Sequence, residues 1–226
     1  MIGIYPENLH ATYYVKQVNS PPNNMDVVAT AELHLKQVSY PLSEYIEALG
    51  PCTLKPSSSP FDVLVQSIIG QQLSLKAASS IGARLKLVVG NEEAFVVEDF
   101  LGRSINEMTS AGLSRAKSIC LSELSQFAYA GRLDFASMSY LSDEEIVTKL
   151  TEVRGIGRWT AEMFLIFALH RQDVFSKSDS GLKRGMRKLY NLSGELNDEL
   201  IEDLSKTWRP YRSVACWYLW KLVDAA

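Results

Sequence analysis

The stretch Leu150-Thr-Glu-Val-Arg-Gly-Ile-Gly-Arg-Trp-Thr-Ala161 holds a helix end, a turn and a helix start. Helical apolar spacing runs up to Val153, two glycines then flank one apolar residue, and a new helical pattern begins at Arg158. Gly155 and Gly157 have no Cβ, so the chain can take positive φ there and an anion can approach the N–H groups opening the next helix. Ile156 between them can anchor the turn in a core. Taken alone, Gly-x-Gly reads equally as a tight link between antiparallel helices and as a phosphate cradle.

Outward from this turn, apolar spacing of three and four persists from about residue 31 to the end, which predicts an all-α fold. Ser104 with Glu107 and Ser142 with Glu145 match the reciprocal capping box and start helices near 104–110 and 142–152. Further helices are expected at 31–49 with a break at Pro41, and at 61–70, 73–89, 92–101, 114–130, 158–169, 180–190, 197–207 and 210–223. Residues 1–30, rich in Tyr, Val and Thr around Ser-Pro-Pro-Asn-Asn, read as an extended arm or small hairpin. A break in periodicity at His170–Ser178 suggests a crossing between two helical subdomains, one of residues 61–170 and one of 31–60 with 171–226.

Composition bounds the rest. The chain has 226 residues, 46% apolar and 22% charged, enough for a sizeable core. Its three cysteines are scattered, odd in number and outside any CxxC pair, which argues against a disulfide framework, a zinc knuckle or a cysteine-ligated iron–sulfur cluster. No apolar run reaches bilayer length and no basic-then-apolar leader opens the chain, so a soluble, unprocessed, intracellular protein is expected. A net charge of −3 speaks against nucleic acid as a partner in general. The charge is uneven, however: residues 150–190 carry 8 Lys and Arg against 4 Asp and Glu. A small basic footprint on an acidic body, with modest salt dependence, is what that distribution predicts.

Four stretches in order, QSIIGQQLS (66–74), GLSRAKS (112–118), GIGRWTAEM (155–163) and WRPYRSVACWYLWK (208–221), together with Asp179 at a helix start, resemble the helix-hairpin-helix DNA glycosylases. Within them the short DNA-3-methyladenine glycosylase II type is most similar, over roughly residues 30–222. The resemblance implies two helical subdomains flanking a DNA-binding cleft, with the hairpin at about 142–169. It implies a monomer that acts on double-stranded DNA with alkylated bases, in the cytoplasm or nucleoid, or the nucleus of a eukaryote.

The resemblance also implies roles. Asp179 would be catalytic, its carboxylate stabilising positive charge on the sugar as the glycosidic bond breaks; read locally, it is equally a good N-cap for helix 180–190. Trp159, Tyr211 and Met163 would wall the base pocket. An indole face suits a cationic alkylated purine by stacking and cation–π attraction, although a core aromatic is the plainer reading of Trp159. Trp217 and Trp220 read as core. Gln72 or Leu73 would fill the gap left by an extruded nucleotide, against a simple helix junction. Ser114, Gly155, Gly157, Arg158, Thr160 and Lys221 would touch the DNA backbone, Ser114 and Lys221 being equally an ordinary N-cap and a solvated lysine.

Relatives that cut the strand carry a lysine after the hairpin arginine, where this chain has Trp159, so a monofunctional enzyme with no lyase step is expected. No cofactor is required; a structural sodium or potassium on the carbonyls of Thr151, Val153 and Ile156 is the one ion the resemblance suggests. Departures from the pattern are Ser178 before the aspartate, the missing proline in that loop, Met163 in place of a tyrosine, and the lack of the N-terminal β-domain of longer relatives. The rival readings are a non-catalytic helix-hairpin-helix module that binds damaged or abasic DNA, and a helical scaffold that binds protein.

Overall fold

The computed structural model describes residues 24–224, with side chains from Val27 onward. Eleven α-helices and no strand occur among them: α1 Asn24–Val38, α2 Tyr40–Leu49, α3 Pro60–Gly70, α4 Leu75–Val89, α5 Ile105–Ser110, α6 Arg115–Tyr129, α7 Asp143–Thr151, α8 Arg158–Phe167, α9 Ser180–Tyr190, α10 Asp198–Ser205 and α11 Arg212–Asp224. None is long and apolar enough to cross a membrane among the described residues.

Local chemistry sets most boundaries. Ser104 and Ser142 close the expected capping boxes, each hydroxyl accepting from the N–H three residues on while Glu107 or Glu145 reaches back. Ser74, Ser114, Asp179 and Asn197 cap α4, α6, α9 and α10 in the simpler one-sided way. The break between α1 and α2 falls at Ser39, and Pro41 sits in the first turn of α2, where no intrahelical N–H is needed.

Two expectations fail. The helix placed at 92–101 is only a 3₁₀ turn, Val97–Asp99. Side chains claim the backbone there: Asn91 donates to Ala94 O and to the Asp99 carboxylate, Asp99 accepts from the Val96 N–H, and Asp62 accepts from the Phe95 N–H. Such bonds compete with a helical ladder, and the apolar periodicity came from Phe95 and Phe100, buried as loop anchors. The extended arm fails over residues 24–30, which open α1; the helix holds because Val28, Ala31 and Leu35 put one face into the core. The rest of the arm, residues 1–23, lies outside the described residues.

Packing divides the helices into two groups. In one, α3 lies against α4, α6 and α8, with α7 on α8 and α5 on α6. Leu64, Val65, Ile68 and Ile69 of α3 and Phe164 of α8 are fully buried at its centre. In the other, α11 crosses α9, α2 and α1. The α9–α11 crossing is close because Gly185 has no side chain: a Cβ there would lie 2.7 Å from Leu219 O and 2.9 Å from Leu219 Cβ.

The link from α8 to α9 is pinned to the start of α11. Arg212 donates to both carboxylate oxygens of Asp173, at 2.6 and 3.2 Å, and Ser213 Oγ donates to Arg171 O and accepts from the Val174 N–H. This clamp delivers residues 176–179 to the mouth between the two groups.

Candidate active site

A cleft of about 1790 Å³ opens between the two groups of helices. Asp179 stands in its wall at the N-cap of α9, only 8% exposed. Its Oδ1 accepts from the Leu182 N–H at 2.7 Å and from Trp220 Nε1 at 3.1 Å, while Oδ2 accepts from Trp159 Nε1 at 2.7 Å. Capping and a place in the cleft are therefore compatible in one side chain. The carboxylate sits among indole rings with its orientation set by three donors, an arrangement suited to stabilising positive charge in front of it. Gly181 keeps this corner tight, since a Cβ there would meet Asp179 Oδ1 at 3.0 Å and Trp220 Cδ1 at 3.1 Å.

Trp159 and Met163, one turn apart on α8, line the same cleft. Trp159 is half-buried and presents its N–H edge to Asp179. Sequence reasoning missed Trp220. Helical spacing reads it as core with Trp217, but its ring lines the cleft, stacks on Phe167 with centroids 5.6 Å apart, and holds the carboxylate. Trp217 packs edge-on against Tyr218. Three-residue spacing put both tryptophans near one face; no signal in the spacing said which would reach Asp179.

Tyr211 is the clearest correction. It is absent from the cleft lining and packs edge-on against His34 of α1 at 5.4 Å, because its backbone N–H closes a turn onto Trp208 O ahead of α11. Lys221 is also outside the cleft, with its ammonium over the Trp217 ring at 5.4 Å. Ser114 serves as the N-cap of α6, accepting from the Lys117 N–H.

The loop after α3 forms the opposite lip. Gln71 Nε2 donates to Gly155 O at 3.1 Å and to Thr160 Oγ1 at 3.0 Å, tying this lip to the hairpin. Lys117 closes the carbonyl end of α3, donating to Ile69 O and Gln71 O, and burial holds its ammonium below the usual lysine range. Gln72 is exposed and left-handed at φ 56°, a conformation a non-glycine residue adopts at a cost. Leu73, 41% exposed, follows it into the cleft lining.

In the hairpin itself, Gly155 takes φ 96°, and a Cβ there would meet Cys120 Cβ at 3.0 Å, so α6 closes against the turn. Gly155 and Gly157 line the cleft. Thr160 is fully buried and its hydroxyl accepts from Gln71, so only its backbone belongs to the helix start. Arg158 departs from expectation. Its guanidinium pairs with Glu144 of α7 and, at 3.2 Å, with Glu162 of α8, and it lines a second cavity of about 530 Å³ instead of the cleft. The Val153 carbonyl accepts from the Ile156 N–H at 3.0 Å, and Thr151 is on the exposed side of the turn. Cys52, Cys120 and Cys216 are free and buried; burial pushes the Cys52 and Cys120 thiols up to about 12.

Residues 65–210, spanning the α3 loop, the hairpin and Asp179, match the HhH-GPD superfamily base excision DNA repair protein family. The chain belongs to this superfamily. Among curated relatives it is 31% identical over 195 residues to a DNA-3-methyladenine glycosylase of Schizosaccharomyces pombe, covering 84% of this chain and 86% of that one. It is 30% identical over 196 residues to an alkylbase DNA glycosidase-like protein of the same yeast, covering 85% and 92%. Among solved structures, a Schizosaccharomyces pombe 3-methyladenine DNA glycosylase in complex with abasic DNA superposes with a TM-score of 0.78 at 31% identity, over 85% of this chain and 95% of that one. A DNA-3-methyladenine glycosidase of Bacillus halodurans gives a TM-score of 0.69 at 39% identity, over 85% and 88%. The HhH-GPD fold is therefore the all-α architecture described above.

Proposed function

We propose that this HhH-GPD protein is a monofunctional DNA glycosylase that releases alkylated purines of the 3-methyladenine and 7-methylguanine class from double-stranded DNA. The observation that carries this reading is the Asp179 carboxylate, oriented by Trp159 and Trp220 in the wall of a cleft large enough for an extruded nucleotide. An N-alkylated purine is cationic and already a good leaving group. As the C1′–N9 bond breaks, its electron pair leaves with the base and positive charge grows on the sugar, facing Asp179. Water then bonds to C1′ and gives up a proton to Asp179 or to solvent.

No amine stands at Trp159, which supports hydrolysis over Schiff-base chemistry. Leu73, with Gln72 beside it, is the candidate to fill the space vacated in the duplex. The N–H groups at the start of α8, with Gly155 and Gly157 leaving room, would take a phosphate. The division of the chain into residues 61–170 against 31–60 with 171–226, with the cleft as the seam, is part of the same reading. So is a monomer in solution, which light scattering would measure. A sodium or potassium ion on the Thr151, Val153 and Ile156 carbonyls would add positive charge beneath that phosphate. The Val153 carbonyl has a second lone pair beyond its Ile156 bond, and affinity for an abasic duplex in potassium against tetramethylammonium chloride measures whether it is used.

The deciding experiment is base release from a methylated duplex by wild-type protein and Asp179→Asn. Release of 3-methyladenine, abolished in the variant with abasic-duplex binding retained, is the expected result. Binding without any release by the wild type would instead establish a non-catalytic damage-binding module. Borohydride trapping of a covalent adduct would overturn the hydrolytic assignment.

A further inference from the structure

Glu162 has no part in the chemistry above, yet it is the partly buried carboxylate of α8, one turn on from Trp159, with a side chain 12% exposed. It lines the second cavity and not the cleft. Burial pushes its carboxyl above the usual glutamate range, so keeping an acid there carries a cost that an apolar residue would avoid. Its Oε2 accepts a short hydrogen bond of 2.5 Å from Ser176 Oγ, within the range for a hydroxyl on a carboxylate. Ser176 is fully buried, and its carbonyl accepts from the Asp179 N–H at 3.0 Å. The other oxygen, Oε1, pairs with Nε of Arg158, whose two terminal guanidinium nitrogens donate to Glu144 in turn. A continuous chain of polar contacts therefore runs from the hairpin helix, through Ser176, to the backbone of Asp179.

We infer that Glu162 is a positioning residue, which fixes the turn carrying Asp179 by anchoring the Ser176 hydroxyl. The inference rests on the assignment of Asp179 as the catalytic group. The turn of residues 176–179 is short and the carboxylate must face one point in the cleft, so release of the Ser176 anchor lets Asp179 shift while the fold and the DNA contacts stay in place.

The test is single-turnover release of 3-methyladenine, beside affinity for an abasic duplex, for Glu162→Ala, Glu162→Gln, Ser176→Ala and the Glu162→Ala/Ser176→Ala double variant. Glu162→Ala and Ser176→Ala are each expected to slow release by about tenfold or more, since sub-ångström misplacement has costs of that order. Affinity should stay within about twofold and the double variant should be no slower than either single, because both cut the same link. Glu162→Gln keeps an oxygen acceptor for Ser176 and should recover most of the rate. Unchanged release in both alanine variants, additive losses, or a glutamine as slow as alanine would each overturn the inference. If Glu162→Ala loses its cooperative melt, Ser176→Ala and Glu162→Gln decide alone. Asp179→Asn separates the two claims: full release in that variant removes the catalytic assignment and this inference with it, whereas its loss of release beside unaffected Glu162 and Ser176 variants removes this inference only.

Discussion

At Asp179 one carboxylate accepts from a backbone amide and two indoles, two donors on Oδ1 and one on Oδ2. Hydrogen bonds to a charged acceptor contribute about 1.5–3 kcal/mol, so loss of the Trp220 donor bears directly on how well the carboxylate is aimed. Trp220→Phe keeps a ring to stack on Phe167 but removes the N–H; it should slow base release by about 10- to 100-fold at nearly unchanged thermal stability, and an unchanged rate in single-turnover assays would refute the role. Glu162 gives a pH prediction. Its folded-state pKa is raised by burial from about 4.5, so the native protein binds more protons than the unfolded chain above that pH. The protonated carboxyl's contribution to stability is full below that value and is lost as pH rises through the folded pKa. Melting temperatures of Glu162→Gln and wild type, compared between about pH 4.5 and 8, should therefore diverge in favour of glutamine as pH rises; a constant difference would count against it.

Among the elements, the helices whose starts are written in local chemistry were legible in the sequence. Ser104, Ser142 and Asp179 cap helices because their oxygens meet orphan N–H groups within three residues, a short-range event independent of the rest of the fold. Ser142→Ala, which removes one half of the α7 box, should cost about 1 kcal/mol in urea unfolding. The segment 92–101 reads as a helix but is not one because Asn91, Asp99 and Asp62 divert its amides, and Asp62 lies on α3. Gly185 shows the same limit. Nothing adjacent to it announces that α11 passes so close that a Cβ there would lie 2.7 Å from Leu219 O. Gly185→Ala should destabilise by about 1–3 kcal/mol or more, since the nearest obstacle is backbone that cannot swing aside.

Over the whole molecule, three of the eight cations of the local basic segment are ion-paired among the described residues and five are not. Of its cations, Arg158 pairs with Glu144 and Glu162, Arg171 with Asp143, and Lys177 with Glu202. The pairs are mostly exposed and individually weak, and of the eight cations only Arg184 lines the cleft, where Lys76 and Lys86 of α4 line it too. Abasic-duplex affinity measured by fluorescence anisotropy should fall with salt at a logarithmic slope of only about −2 to −3, the signature of two or three neutralised phosphates. A slope near −6 would mean that cations outside the cleft lining also reach phosphates. What the sequence by itself determined was the helical class, the Gly-Ile-Gly turn, most helix starts and the place of Asp179, because periodicity and capping act over a few residues. Which aromatics face the carboxylate, where Arg158 points and what holds the turn of Asp179 were decided only by the tertiary structure. Helical spacing assigns a residue to a face, but its neighbour across that face comes from a distant segment: Tyr211 meets His34, Trp220 meets Asp179, and Glu162 meets Ser176.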